Sequence, residues 1–448
     1  MHEAVLDAPE AEESVGVGFT PFAIVALTAV CAVLFGAGAQ ALASSALWGG
    51  ALLLIGHGAV RGRLDDVAIV LVAIFNTASI FQAGIEVGYR AWFYLAAIVG
   101  LGLAALRPGA ALRDGWGWLL LAGGVAAFHL LFARTEFARS YGFQQAVNVF
   151  AAFGLTGVVR LAARQVTPEQ FTSRLALTVM LCAAASLWAP AHLGVSDELV
   201  ERRLGFGLDI DPNGLGVTGA VCILSALVVA QYFADWSIRL LAIGASLFAA
   251  YVMLMTGSRQ AMAIVVTGLT VWLALYSASR QEGGGGRLLL VALVLGGAWL
   301  TTQLAVFDVT ASRFESLLSG RKSIDRLDHW RVAAAIALDY PFGAGSGGFI
   351  SHFREYAQKL DIRTPYALMR PHNFFALTVG DWGILAFAAV LLWLSALRRG
   401  VLQAVDSRRR TVAAVGLAAA VVAMLASTLL STFLLSLVAA NSARDDQS

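Results

Sequence analysis

Charge is scarce in this sequence. Only 13% of its 448 residues are Asp, Glu, Lys or Arg, about half of what a soluble chain of this length carries. Lysine is scarcer still: Lys322 and Lys359 are its two instances, and arginine supplies the rest of the 31 basic residues. Cysteine is limited to Cys31, Cys182 and Cys222. Each lies inside an apolar run without the spacing of a zinc site or a disulfide framework, so small core side chains are the expectation. The N-terminus lacks the basic start of a signal peptide and carries Glu3, Asp7, Glu10, Glu12 and Glu13 instead. A short acidic cytoplasmic tail over 1–18 is expected.

What the chain has in excess is apolar length. It is 58% hydrophobic with a mean hydropathy of +0.74, and runs of roughly 20 apolar residues recur from end to end, the length a helix needs to cross a bilayer. The pattern predicts an all-α, polytopic inner-membrane bundle of about 13 (12–14) transmembrane helices. The expected spans are 19–39, 41–60, 66–85, 91–106, 116–133, 143–163, 174–192, 213–234, 237–256, 258–278, 288–307 and 373–397. A last stretch, 411–440, is long enough for one tilted helix or for two short ones broken near Ser427 and Thr428. Residues 19–307 form the main bundle, 372–440 the C-terminal spans and 441–448 a tail.

Sidedness follows from the distribution of arginine. With the N-terminus in the cytoplasm, inward connections hold fifteen arginines and short outward ones hold five. This threading makes 308–371 one large periplasmic loop. A stretch that long between spans usually carries function or structure of its own. Within it, Ser323 can cap an amphipathic helix over 324–339, with Ile324, Leu327, Ala334 and Leu338 on one face and Pro341 and a glycine-rich turn at its end. The "GAGSGG" of that turn, 343–348, fits G-x-G-x-x-G in letters only. It follows a helix instead of a strand and faces away from cytoplasmic nucleotides. The "QEGGGG" at 281–286 is a flexible inner turn.

The outward ends collect an unusual set of groups. Arg202 and Arg203 lie in a loop that ends in "DPNG". Ser258 and Arg259 stand in "TGSRQ" at the top of a span. Arg326 and Trp330 sit one turn apart in the large loop, and His372 and Asn373 open the span that follows. Arginines at helix ends commonly snorkel to headgroups, and His57, His129 and His192 read as packed or idle rings. Asp381 lies within a span, where an acid is costly and needs a partner; an arginine or a hydrogen bond from a neighbouring helix would serve. As a set, however, fixed cations suit a diphosphate leaving group, and a neutral histidine can take a proton from an attacking hydroxyl. The chemistry suggested is glycosyl transfer from a lipid diphosphate, with no metal and no cofactor required.

The stretch "GRKSIDRLDHWRVAAAIALDYPFGAGSGGF", followed by "PHNFFALTVGDWGILAF", resembles the signature region of the bacterial O-antigen ligase and polymerase superfamily. The shared pattern has an Arg four residues before a Trp, a helix, a proline, a glycine-rich turn and a His-Asn pair opening the next span. Ser258 and Arg259 resemble that family's other basic site, and "RLGFGLDIDPNG" resembles, more loosely, an upstream Arg-to-Pro-Asn element. The resemblance implies a metal-independent, multi-pass inner-membrane glycosyltransferase that faces the periplasm. Its donor would be a glycan on undecaprenyl diphosphate and its acceptor lipid A–core or a second lipid-linked glycan; membrane lipids are the other partners, and no nucleic acid is. His372 would be catalytic, Arg259, Arg326 and Arg203 would bind diphosphate, and Asn373, Trp330, Ser258 and Asp381 would support them. Where the family commonly has Glu, this chain has Asp381. A ligase, a polymerase, and a lipid-glycan flippase or transporter are the readings carried forward.

Overall fold

The computed structural model describes residues 18–77, 94–99, 115–133, 135–193, 212–279, 324–362, 373–404, 406–427 and 431–442, with isolated positions between 101 and 112. Among the described residues there is no strand. That is what a lipid environment dictates, because a helix satisfies its own backbone N–H and C=O groups. In chain order the first helices are α1 (Phe19–Gly36), α2 (Gln40–Val60), α3 (Leu64–Thr77) and α4 (Trp116–Phe128), which runs on as a 3₁₀ turn, His129–Phe132. Then come α5 (Glu136–Gln165), α6 (Pro168–Leu193), α7 (Pro212–Tyr232), α8 (Trp236–Thr256) and α9 (Arg259–Ser279). After the large loop's α10 (Ile324–Asp339) and α11 (Gly348–Lys359) come α12 (Phe374–Leu402), α13 (Ser407–Ala426) and α14 (Thr432–Asn441). Eight of these are long and apolar enough to cross a membrane: α1, α2, α5, α6, α7, α8, α12 and α13. The chain is thus a multi-pass membrane protein. The expected span 288–307, most of 91–106 and the end of 66–85 fall outside the described residues.

The long C-terminal apolar stretch is two helices. Ser427 is extended (φ −148°, ψ 160°) and ends α13. At ten residues, α14 is about 15 Å long, half the hydrocarbon thickness. Every one of those residues is buried. It packs among α3, α5, α6, α12 and α13, and Asn441 ties its end to Thr172 of α6 (3.0 Å).

The start of α3 carries the bundle's best-formed ion cluster. Arg174 of α6 reaches Asp65 at 2.5 Å and Asp66 at 2.9 Å, and Arg63 closes on the same two carboxylates at 3.1 Å. Asp65, Asp66 and Arg174 are buried. Each buried ion costs desolvation, and the close pairing of two acids with two arginines offsets that cost, which allows the cluster to lie at the seam between helices.

The large loop contains two helices where the sequence predicts one. The bounds expected for α10 hold at 324–339, but its expected apolar face does not. Ala334 is exposed, and Leu338 is 83% exposed. The buried face is His329, Val332, Ala333 and Ile336, which packs with Phe349, Phe353 and Tyr356 of α11 and with Ala376 of α12. The reason is α11. Its Phe349, Ile350, Phe353, Tyr356 and Ala357 make a one-sided apolar stripe, and this stripe, more than α10's own leucines, decides which side of α10 turns inward. The Tyr356 hydroxyl donates to Asp339 across the pair. Burial, and then that carboxylate, push its phenol well above the usual range.

Candidate active site at the broken helix

The span opening at His372 is not one straight rod. Within α12, Gly383 has φ 78° and ψ −172°, a backbone state that essentially only glycine adopts. The break divides 374–382 from 384–402. The second piece, roughly 28 Å long, is enough to cross alone, and it shows lipid-facing Ile384, Leu385, Leu391 and Leu392. The first piece is enclosed: from Asn373 to Gly383 every residue is buried except the half-buried Val379. The segment that follows His372 is therefore a protein-lined element, not an interfacial one.

The glycine-rich turn explains the break. Ala344 N–H donates to the Gly380 carbonyl, Gly345 N–H to that of Asp381, and Ile384 N–H to that of Pro341, at 3.1, 3.1 and 2.9 Å. A Cβ on Gly383 would lie 2.3 Å from both Gly343 N and Phe342 C. The turn thus supplies partners for backbone groups that the broken helix leaves open, a need that is absolute at membrane depth. Asp381 completes the joint. Its carboxylate accepts from the N–H groups of Gly347 and Phe349 at the start of α11 (2.9 and 2.7 Å). The helix N-terminus provides the favourable partial charge. Of the two partners expected for this acid, the structure supplies a neighbouring helix's hydrogen bonds. The far side of the turn rests on α4, where Ser346 N–H donates to the His129 carbonyl (3.2 Å).

Asn373 caps α12. Its Oδ1 accepts from Phe375 and Ala376 N–H at 2.9 and 3.0 Å, and its Nδ2 donates to the Leu425 carbonyl at 3.0 Å. The start of α12 is thereby joined to the last turn of α13, beside the C-terminal break. Trp330 of α10 stacks on Phe375, with centroids 6.5 Å apart and planes at 21°. Trp330 and Asn373 thus lie at one place, the head of α12. Arg326 is on the first turn of α10, one turn before Trp330; its side chain, Arg203 and His372 lie outside the described residues. So do Asp209 and Asp211, an Asp-x-Asp pair just ahead of Pro212 that the metal-free expectation passes over.

Ser258 and Arg259 sit at a second junction. Gly257, in the left-handed region, ends α8, and Ser258 Oγ accepts from Ala261 N–H (3.4 Å) to start α9. Ser258 is fully buried, and Gly216 of α7 lies so close that a Cβ there would be 2.5 Å from the serine's own. The structure therefore brings the "TGSR" turn against the helix that opens with "PNG". Arg259 itself is half-buried. From this junction α9 packs along α13, the helix whose end holds Asn373. Among the described residues no three His, Cys, Asp or Glu side chains gather as a metal site.

These features define a helical multi-pass membrane protein in which the α10–α11 unit is keyed into a broken span. Residues 244–391 match the family described as O-Antigen ligase. The chain is similar to that family over this segment, about a third of its length. The matched segment contains Ser258, Arg259, Arg326, Trp330, His372, Asn373 and Asp381, while Arg203 falls before it. A search of curated proteins finds no match.

Proposed function

We propose that this protein is an O-antigen ligase. It transfers a glycan from undecaprenyl diphosphate to a hydroxyl of lipid A–core at the periplasmic face of the inner membrane, without a metal. The observation that carries the reading is the head of α12: an enclosed, doubly anchored helix start immediately after His372, inside the segment that matches the ligase family. The helix start that follows His372 is enclosed and capped, and a fixed element of this kind suits the positioning of a general base.

In this mechanism His372 accepts the proton of the acceptor hydroxyl as its oxygen bonds to the anomeric carbon. The bond from that carbon to the diphosphate oxygen breaks on the opposite side, so the configuration inverts. The diphosphate leaves with its charge balanced by Arg259, Arg326 and Arg203, which cannot lose their protons at physiological pH. Asn373 and Trp330 hold the helix that carries the base, and Ser258 and Asp381 hold the two junctions.

The test uses purified wild type and His372→Ala in detergent, each given a lipid-diphosphate glycan with EDTA present and either lipid A–core or a second lipid-linked repeat. Wild-type transfer to lipid A–core, reduced by a factor of about 10²–10⁴ in the variant, supports the reading. Transfer only to the second repeat reassigns the enzyme as a polymerase. Unchanged transfer by the variant removes His372 as the base.

A further inference from the structure

At the end of α12 away from its head, five arginines stand against one acid: Arg398, Arg399, Arg408, Arg409 and Arg410 against Asp406. Other turns between helices are balanced. Residues 61–66 hold two arginines and two aspartates, and 235–239 hold one of each. Asp406 is already engaged by the backbone, since its carboxylate accepts from Arg409 N–H (3.2 Å) and caps α13. Arg409 is buried and lies 3.7 Å from Glu169 of α6. The other four arginines are exposed, and among the described residues none of them has an ion pair with an acid. Arg410 donates to the Ala404 carbonyl (2.8 Å), across the connection between the two helices. Arg408, Arg409 and Arg410 also occupy the first turn of α13, where the helix's own partial charge is positive and a cation is disfavoured. An anion at this place would meet several cations that the protein leaves unanswered.

The register of these arginines says which anion. Residues seven apart share a helix face. On α12, Ile384, Leu391 and Arg398 form one such row and Leu385, Leu392 and Arg399 a second beside it, with Leu402 following. All seven are exposed. The stripe that faces lipid therefore ends in two adjacent arginines, about 10 Å along the helix from Leu391 and Leu392. Acyl chains lying on the leucines would bring a phosphate to the guanidinium groups, whose fork matches a pair of phosphate oxygens. An arginine that only snorkels needs no such pair in line with the lipid-facing rows. A headgroup that carries an ammonium would set a like charge among the arginines, and one without it would not.

We propose that this end of the α12–α13 pair binds an anionic phospholipid. Its phosphate rests on Arg398 and Arg399 and its acyl chains run along Leu391 and Leu392, while Arg408 and Arg410 add to the positive field. The site lies at the opposite end of α12 from the helix head, and the inference stands whether or not the chain transfers glycans.

The experiment measures binding of phosphatidylglycerol, and of phosphatidylethanolamine with identical acyl chains, to the detergent-purified full chain by native mass spectrometry. Wild type is expected to prefer phosphatidylglycerol by about tenfold or more, the order expected for two arginines beside an anionic headgroup. The double variant Arg398→Gln/Arg399→Gln should bring the two lipids to within about twofold of each other. Both positions are exposed, so the variant should elute from size exclusion like wild type. Arg61→Gln/Arg354→Gln removes the same charge from exposed positions elsewhere and should keep the preference. Millimolar inorganic phosphate should not displace the bound lipid. Equal binding of the two lipids to wild type would overturn the reading of the headgroup. A preference that survives in Arg398→Gln/Arg399→Gln, or one that falls equally in the control pair, would overturn the site. Displacement by inorganic phosphate would make the ligand a soluble anion and overturn the lipid.

Discussion

The carboxylate of Asp381 accepts hydrogen bonds from the main-chain N–H groups of Gly347 and Phe349, on the far side of a loop more than thirty residues away in sequence. This contact locks the loop's two-helix unit to the span that begins at His372. Asp381→Asn keeps the shape but turns one acceptor into an NH₂ that faces an N–H. Each charged hydrogen bond lost costs about 1.5–3 kcal/mol, so a lower unfolding temperature in detergent is expected. Transfer should also fall by ten- to a hundredfold through displacement of α12's head. Asp381→Glu should not rescue it, because the longer side chain overpacks a fully enclosed seat. Wild-type activity in Asp381→Asn would show that the joint does not position the base.

Gly383→Ala is expected to be among the most damaging single-methyl changes in the chain. It combines a backbone state costing on the order of 1–3 kcal/mol for a non-glycine residue with contacts of 2.3 Å to backbone atoms of the turn. Gly244→Ala is the matched control: it lies mid-helix on an exposed face with open space around its Cβ. The first variant should yield little monodisperse protein on size exclusion. The second should behave like wild type or slightly better.

Arg174→Ala should destabilise the bundle by about 3–5 kcal/mol, because it leaves Asp65 and Asp66 buried with Arg63 alone. Replacing Arg174, Asp65 and Asp66 together by apolar residues of similar volume should recover most of that loss. Thermal unfolding of the single and triple variants measures both. A triple variant as unstable as the single one would mean that the cluster stabilises through its charges.

Trp330→Ala removes a stacked ring, worth about 0.5–1.5 kcal/mol beyond its buried area, and frees one anchor of α12's head. Trp330→Phe keeps a ring in place. Transfer should fall clearly in the alanine variant and stay within a few fold in the phenylalanine one. Equal activity of the two would detach Trp330 from the positioning of His372.

The eight long apolar helices among the described residues were legible because a span announces itself by length and apolarity, and both are local; the expected total of about 13 spans is not reached among those residues. The break between α13 and α14 was half legible: Ser427 marked the place, but nothing local distinguishes a tilted rod from two helices. The kink at Gly383 was not legible. "GDWG" is unremarkable by itself, and its geometry is dictated by the turn at 341–348, a partner distant in sequence. The same non-locality misassigned the inner face of α10. Leu338 is the more apolar choice, yet α11 covers Val332 and Ile336 instead. The stripe Phe349, Phe353, Tyr356 in α11 was a readable signal, at helical spacing.

The short helix α14 has a consequence for how the protein is made. Five helices synthesised before it (α3, α5, α6, α12 and α13) present it with surfaces it alone fills. Until those ten residues leave the ribosome, the bundle encloses a slot with no occupant. The slot is closed last, as a keystone closes an arch, by the one helix of this set that follows the other five in the chain.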